Sequence, residues 1–384
     1  MRVLALIAGI VCIITALFDT FQTIILPRRA TGRFRITRIF YALTWQPWTF
    51  FARNLHNPRK RETVFSFYGP LSLILLLMVW AAGLVVGYAL IYYSLGSPFN
   101  DPTRHPGFQS DVYVSGTTFF TLGLGDVTPR SSPTRALIIL ESGTGLGLLA
   151  IVVGYFPVLY GAFSRREVSI SLLDARAGSP PTAAELLRRH SHKDAEQALS
   201  LLLVEWERWS AELLESHISY PLLCLFRSQH TSQSWLSALT AILDTCALLI
   251  ASVQEQSARQ AQLTFAMARH ALVDLSQILS QAPAPPGEDR LPADKYGLIY
   301  DKLCSAGVNV CRDDRSHARL SELRQMYEGY AEALSRYLVM PLPPFFIEHP
   351  KKDNWLTVAK VRAAAEAGDS FAKAVAAHDE EHLF

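Results

Sequence analysis

From residue 117 to 126 the chain reads Thr-Thr-Phe-Phe-Thr-Leu-Gly-Leu-Gly-Asp, with glycines alternating at 123 and 125. Glycine reaches left-handed backbone conformations at little cost, so alternate glycines let successive carbonyl oxygens turn to one side. Rings of such oxygens, one set from each of several subunits, can replace the water around a dehydrated cation. The Thr121 hydroxyl would add a ligand at the inner end, and Leu122 and Leu124 would supply carbonyls between the glycines. Asp126 closes the run at the outer mouth. There it either fastens the loop by hydrogen bonding while attracting cations, or serves as a purely structural cap.

Elements able to hold such a loop surround it. Residues 3–26, 71–93 and 136–163 are apolar and long enough to cross a bilayer, which needs about 20 helical residues. Half the chain is hydrophobic and 18% is charged, a balance that suits a protein partly in lipid. Arg28, Arg29, Arg33, Arg35, Arg38, Arg53, Arg59, Lys60 and Arg61 form a basic block without an acid among them. Phe34, Phe40, Tyr41, Trp45, Trp48, Phe50 and Phe51 interleave with it, which fits a membrane interface better than a nucleic-acid arm. Under the positive-inside rule the first span starts outside and delivers residues 28–66 to the cytoplasm. The second returns outward and the third re-enters, so everything after about residue 165 is expected in the cytosol. The apolar stretch 111–120 is too short to span and leads into the glycine run, as a re-entrant loop would.

This sequence resembles the TxGxGD signature of the potassium channel pore family, and the resemblance covers residues 69–165. Pro129 stands where that family often has a proline at the external turn. Gly145 stands where it has a hinge glycine in the inner helix, and Glu141 matches an acid common in bacterial inward-rectifier-like pores. The aromatic, basic stretch 33–54 is similar to an inward-rectifier interfacial helix. The resemblance implies potassium as permeant ion, no other cofactor, and Thr121–Asp126 as the selectivity filter. Leu124 departs from the family's usual Tyr or Phe, and Leu122 from its Val or Ile. A leucine donates no hydrogen bond, which bears on filter rigidity and on strictness over sodium. One pore loop per chain implies a homotetramer, four filters around one axis.

Several residues near the loop carry two readings each. Glu141 either braces the back of the filter, with Thr117 or Thr118 as partner, or faces the cavity. Pro157 removes a backbone hydrogen bond near the inner end of its helix. With Val153, Tyr155, Phe156 and Leu159 it either defines a gate or is a tolerated membrane proline. Asp19, an acid inside the first span, either ties that helix to its neighbours or senses protons.

The remainder reads as helical. Residues 195–216, 234–254 and 259–281 are amphipathic or apolar runs. The run 236–250 is apolar but short and interrupted by Asp244, which suits a core helix better than a fourth span. Ala282-Pro283-Ala284-Pro285-Pro286-Gly287 has linker composition. His217, Tyr220, Arg227, His230, Trp235, Asp244 and His270 are polar or aromatic groups set among apolar helices. They could bind a cytosolic ligand, contact another subunit, or satisfy one another. The five cysteines are scattered without a CxxC pair, arguing against a disulfide framework or a zinc site. No phosphate-binding loop, dinucleotide fold, nucleophile elbow or HExxH motif is present, so an enzyme is not expected.

The sequence thus predicts an all-α membrane protein with a potassium-channel-type pore. Residues 1–27 form an N-terminal span with its N-terminus outside, 28–66 a basic interfacial segment, and 67–165 the pore domain. A cytosolic bundle over 166–282, a linker over 283–292 and a second helical region over 293–384 complete it, with helices closing the chain at 355–377. The expected partners are three further copies and membrane lipid, with no nucleic acid, at the cell membrane. A weakly selective cation channel and a non-conducting membrane-anchored scaffold are the alternatives.

Overall fold

A computed structural model describes residues 1–26, 35–100, 107–191, 195–229, 233–252, 257–285, 287, 289–310 and 313–347. The protein is an all-α membrane protein with a pore domain. Among the described residues the sheet content is one short ladder, in which β1 (Phe99–Asn100) pairs antiparallel with β2 (Thr128–Pro129). The chain forms two compact units. Met1–Ser164 and Ser216–Arg227 make the first, and Arg165–Glu215 and Ser228–Phe384 the second.

The first unit begins with α1 (Arg2–Thr20), extended by a π-helical turn, Phe21–Ile25. It packs along α3 (Pro58–Ser94) at close range. A β-carbon at Gly9 would come within 2.6 Å of the Gly87 carbonyl oxygen, and one at Gly87 within 2.7 Å of Ile13. Only glycine permits that approach. Between them lies α2 (Ile36–Arg53), close to the predicted interfacial stretch. The start of α3 lies well upstream of residue 71 for a local reason. Asn57 caps it, its side chain accepting from the Arg59 and Lys60 amides, and Pro58 takes the first helical position. Its 37 residues make roughly 55 Å of helix, well beyond a hydrocarbon core of ~30 Å.

After α3 come β1, α4 (Phe108–Phe119), the loop 120–127, β2 and α5 (Ser132–Ala177). The faces of α1, α3 and α5 away from the unit's interior carry exposed apolar side chains, including Ile7, Val11, Ile14, Met78, Val79, Leu146 and Leu149. Apolar surface this extensive belongs against lipid or another protein surface.

The second unit is built around α8 (Trp235–Ser252), in which every side chain from Trp235 to Leu249 is buried. It is apolar enough to cross a membrane by composition, yet 89% of its apolar window is buried within the unit. Helices α6 (Ala183–Arg189), α9 (Ser257–Ile278), α11 (Asp314–Gln325) and α12 (Glu328–Leu338) surround it. A helix apolar all round is a core helix when neighbours cover it. The unit also contains α10 (Ala293–Ser305) and most of α7 (Ala195–Ser219).

The stretch 283–292, expected from the sequence to be a linker between two bundles, makes contacts inside this unit. Among its described residues, Leu291 is buried, the Ala284 amide donates to the Gly329 carbonyl, and Arg290 reaches Asp244. Its proline-rich composition gives the look of a spacer, but a buried carboxylate awaits its arginine. The predicted closing helices at 355–377 lie outside the described residues.

Candidate functional site: the loop between α4 and α5

Helix α4 ends at Phe119, and its last turn turns back onto the loop. The Thr117 carbonyl accepts the Leu122 amide at 2.8 Å, and the Thr118 carbonyl accepts the Thr121 amide at 3.0 Å. Beyond it, Thr121, Gly123 and Gly125 have φ of 56°, 55° and 78°, while Leu122 and Leu124 between them stay out of the left-handed region. This alternation is the backbone pattern that turns successive carbonyls toward one side. Glycine holds such a φ freely, whereas a threonine there is strained by about 1–2 kcal/mol. Residues 121–126 are exposed in the single chain, Leu122 by 62% and Leu124 by 64%.

The far end of the loop is fastened by two side chains. Tyr113, on α4, donates to Asp126 Oδ2 at 2.8 Å. Arg130 donates from Nε to Asn100 Oδ1 at 2.6 Å and from its amide to the Pro98 carbonyl. Arg130 therefore pairs with Asn100 on β1. Asp111 is fully buried in the first turn of α4 and accepts from Ser97 at 2.7 Å.

Behind the loop stands Glu141. It is fully buried, accepting from Ser115 Oγ through one oxygen and from Tyr92 OH at 2.6 Å through the other. Its hydrogen-bond partners are thus a serine of α4 and a tyrosine of α3. Three helices meet at one carboxylate. Four residues on, Gly145 meets the end of α4, where a β-carbon would overlap the Phe119 carbonyl oxygen. Close packing by itself explains glycine there.

The residues expected to line a gate divide. Tyr155 and Leu159 are buried, Tyr155 with its ring 5.5 Å from that of Tyr220. Val153 is 65% exposed, Pro157 is exposed, and Phe156 is half-buried. They occupy different faces of α5. Asp19 sits in a polar cluster at the end of α1: its Oδ2 accepts from the Thr37 amide, Thr37 Oγ1 and Trp80 Nε1, and Arg35 lies 3.5 Å from Oδ1.

The residues that the sequence groups as a possible ligand site or subunit contact are divided between the two units. His217, Tyr220 and Arg227 belong to the first unit, while Trp235, Asp244 and His270 belong to the second. His230 lies outside the described residues. Asp244 is fully committed internally: Arg290 grips it at 2.8 and 2.9 Å, and Tyr327 donates to it at 2.5 Å. Arg290 and Arg324 in turn share Glu328 and flank the Phe345 ring. His270 is exposed, 4.0 Å from Asp274. Among the described residues no group of three His, Cys, Asp or Glu is placed to hold a metal ion.

Sequence reasoning missed Ser115, Tyr92, Tyr113 and Arg290. Ser115, Tyr92 and Tyr113 lie on other helices and Arg290 in an irregular stretch, each at a separation with no local spacing signal, so composition and periodicity could not flag them.

Residues 74–159 match the family model described as "Ion channel". This segment, from within α3 through the loop to α5, is similar to an ion-channel domain. The chain is also 26% identical over 337 residues to the uncharacterized membrane protein YdjJ of Bacillus subtilis (strain 168), covering 86% of this chain and 94% of that protein. Most of that alignment lies outside the ion-channel domain. No solved structure matches the chain.

Proposed function

We propose that the protein is a homotetrameric, potassium-selective channel of the cell membrane, with Thr121–Asp126 as its filter. The observation that carries this reading is the alternation of left-handed φ at Thr121, Gly123 and Gly125 in a loop left exposed on the single chain. Four such loops around one axis would stack rings of carbonyl oxygens that replace the hydration shell of potassium. The exposed Leu122 and Leu124 side chains would then be covered by neighbouring subunits. Helix α4 would direct its C-terminal partial negative charge toward the ion path.

On this reading α1, α3 and α5 span the bilayer, α8 is a core helix in the cytosol, and the inner end of α5 carries the gate. Gly145 serves as the hinge, and Val153, exposed on α5, is the strongest candidate to line the narrow point. The second unit regulates that gate. No cofactor other than the permeant ion is called for.

A weakly selective cation channel is the second reading, favoured by Leu124, which has no hydrogen-bonding group to stiffen the filter. The deciding experiment is the reversal potential of purified protein in planar bilayers under opposed potassium and sodium gradients. Reversal near the potassium potential, with current abolished by Gly123→Asp, is the expected outcome. A reversal near zero with robust current selects the second reading. Absence of current from a correctly assembled tetramer under all lipids and pH values tried would favour a membrane-anchored scaffold.

A further inference from the structure

One stretch of chain stands out of place. Residues Ser216–Arg227 join α7 to α8, yet they cluster with the first unit. They finish α7, turn through a short 3-10 helix (Pro221–Leu225) and are deeply covered: Leu222, Leu223, Cys224, Leu225 and Phe226 are all buried. Connections between helices ordinarily run over the surface, so this burial needs a reason.

The contacts supply one. The Phe226 ring lies on Gly69 of α3, where a β-carbon would come within 2.7 Å of its edge. The same ring is 6.2 Å from Tyr160 and 5.6 Å from Phe163 on α5. Tyr220 stacks edge-on against Tyr155. Arg227, its side chain only 6% exposed, lies 4.6 Å over the Phe65 ring and 3.8 Å from Glu62. A buried guanidinium is tolerated when its charge is met, and both groups that meet it are on α3. One segment therefore grips α3 at Glu62, Phe65 and Gly69 and α5 at Tyr155, Tyr160 and Phe163. Tyr155 and Tyr160 flank Pro157, where α5 lacks a backbone hydrogen bond and bends most easily.

We infer that Ser216–Arg227 is the coupling clamp of the channel: it fixes the inner end of α5 against α3, and it carries regulation from the second unit to the gate. The inference rests on the proposal that the inner end of α5 carries that gate. Any movement of α5 about Pro157 must break the Tyr155–Tyr220 and Phe226 contacts or carry the segment along. Because the chain enters and leaves the segment from the second unit, a shift there pulls on these contacts directly.

The test begins with the contact itself, in the full-length protein in membranes. Phe226 Cγ would lie 3.2 Å from a β-carbon at Gly69, within reach of disulfide geometry. Gly69→Cys with Phe226→Cys should therefore cross-link on mild oxidation, and neither single variant should. Failure of the double variant to cross-link while it still assembles would overturn the clamp. Next, Tyr220→Ala, Phe226→Ala and Arg227→Gln are recorded in bilayers. Each should change open probability at least about fivefold, all in one direction, with reversal potential unchanged. Open probability equal to wild type in all three, or a moved reversal potential, would refute the inference. If wild-type protein carries no current, the channel reading itself is what fails. The clamp is then read from spin labels on Val153: Phe226→Ala should shift the inter-subunit distances, and unchanged distances overturn it.

Discussion

Nothing fits between Gly145 and Phe119: a β-carbon on the glycine would overlap the carbonyl oxygen that ends α4. The clash is with backbone, which cannot rotate away, so even a methyl group must push α5 off the pore helix. Gly145→Ala should cost about 1–3 kcal/mol and lower the melting temperature of the detergent-solubilised protein. Gly143→Ala meets nothing within 4 Å in the chain and gains helix propensity, so it should not. Equal melting temperatures for both variants would contradict this packing.

Glu141 is the second test. Its two oxygens each accept one hydroxyl, from Ser115 and from Tyr92. Tyr92→Phe leaves one oxygen of a buried group without its donor and should cost about 1–3 kcal/mol. Ser115→Ala should do the same, and the double variant should lose less than the sum, since both act on one carboxyl. Strict additivity in thermal unfolding would show that the three groups do not act together.

Asp19 ties α1 to α2 and α3 through Thr37, Trp80 and Arg35. Asp19→Asn removes the charge that meets Arg35 and turns an amide donor toward groups that are themselves donors. A loss of about 3 kcal/mol is expected, with α1 exposed to proteolysis first. A proton sensor would instead change channel opening with pH and leave stability alone, so the two readings separate in one pair of measurements.

The second unit offers a pH prediction. Burial would raise the Glu185 carboxyl, but hydrogen bonds and charge from Arg188 and Arg189 outweigh it and hold the group below its ordinary value of 4.5. A lowered acid binds fewer protons when folded, so its stabilisation is complete above pH 4.5 and fades as pH falls through the lowered value. Glu185→Gln should therefore be less stable than wild type at neutral pH, and the difference should shrink on acidification. A gap that widens as pH falls would reverse the assigned sign.

How much of this was open to reading in the sequence depends on the range of the signal. The loop from Thr121 to Asp126, the helices on either side and the interfacial helix are local patterns, written in glycine spacing and apolar run length. The buried α8 was also legible, because Asp244 interrupts an otherwise apolar run. The partners of the charged groups were not. Nothing about Glu141 announces Ser115 and Tyr92, which come from two other helices, and nothing in a proline-rich stretch announces that Arg290 will fill the site around Asp244. Nor does the sequence announce that His217 and Arg227 belong to the first unit and Asp244 to the second.

The burial of Ser216–Arg227 also decides where this protein can be cut and recombined. A chimera that keeps residues up to 164 and takes everything after them from elsewhere would discard Phe226 and Arg227 with the rest. Gly69, Phe65 and Tyr155 would then face water, and Glu62 would lose its cation. The pore unit is therefore not a cassette bounded by one junction. Its sequence is interrupted, and a graft that respects the fold needs three seams: one near residue 165, one before Ser216 and one after Arg227.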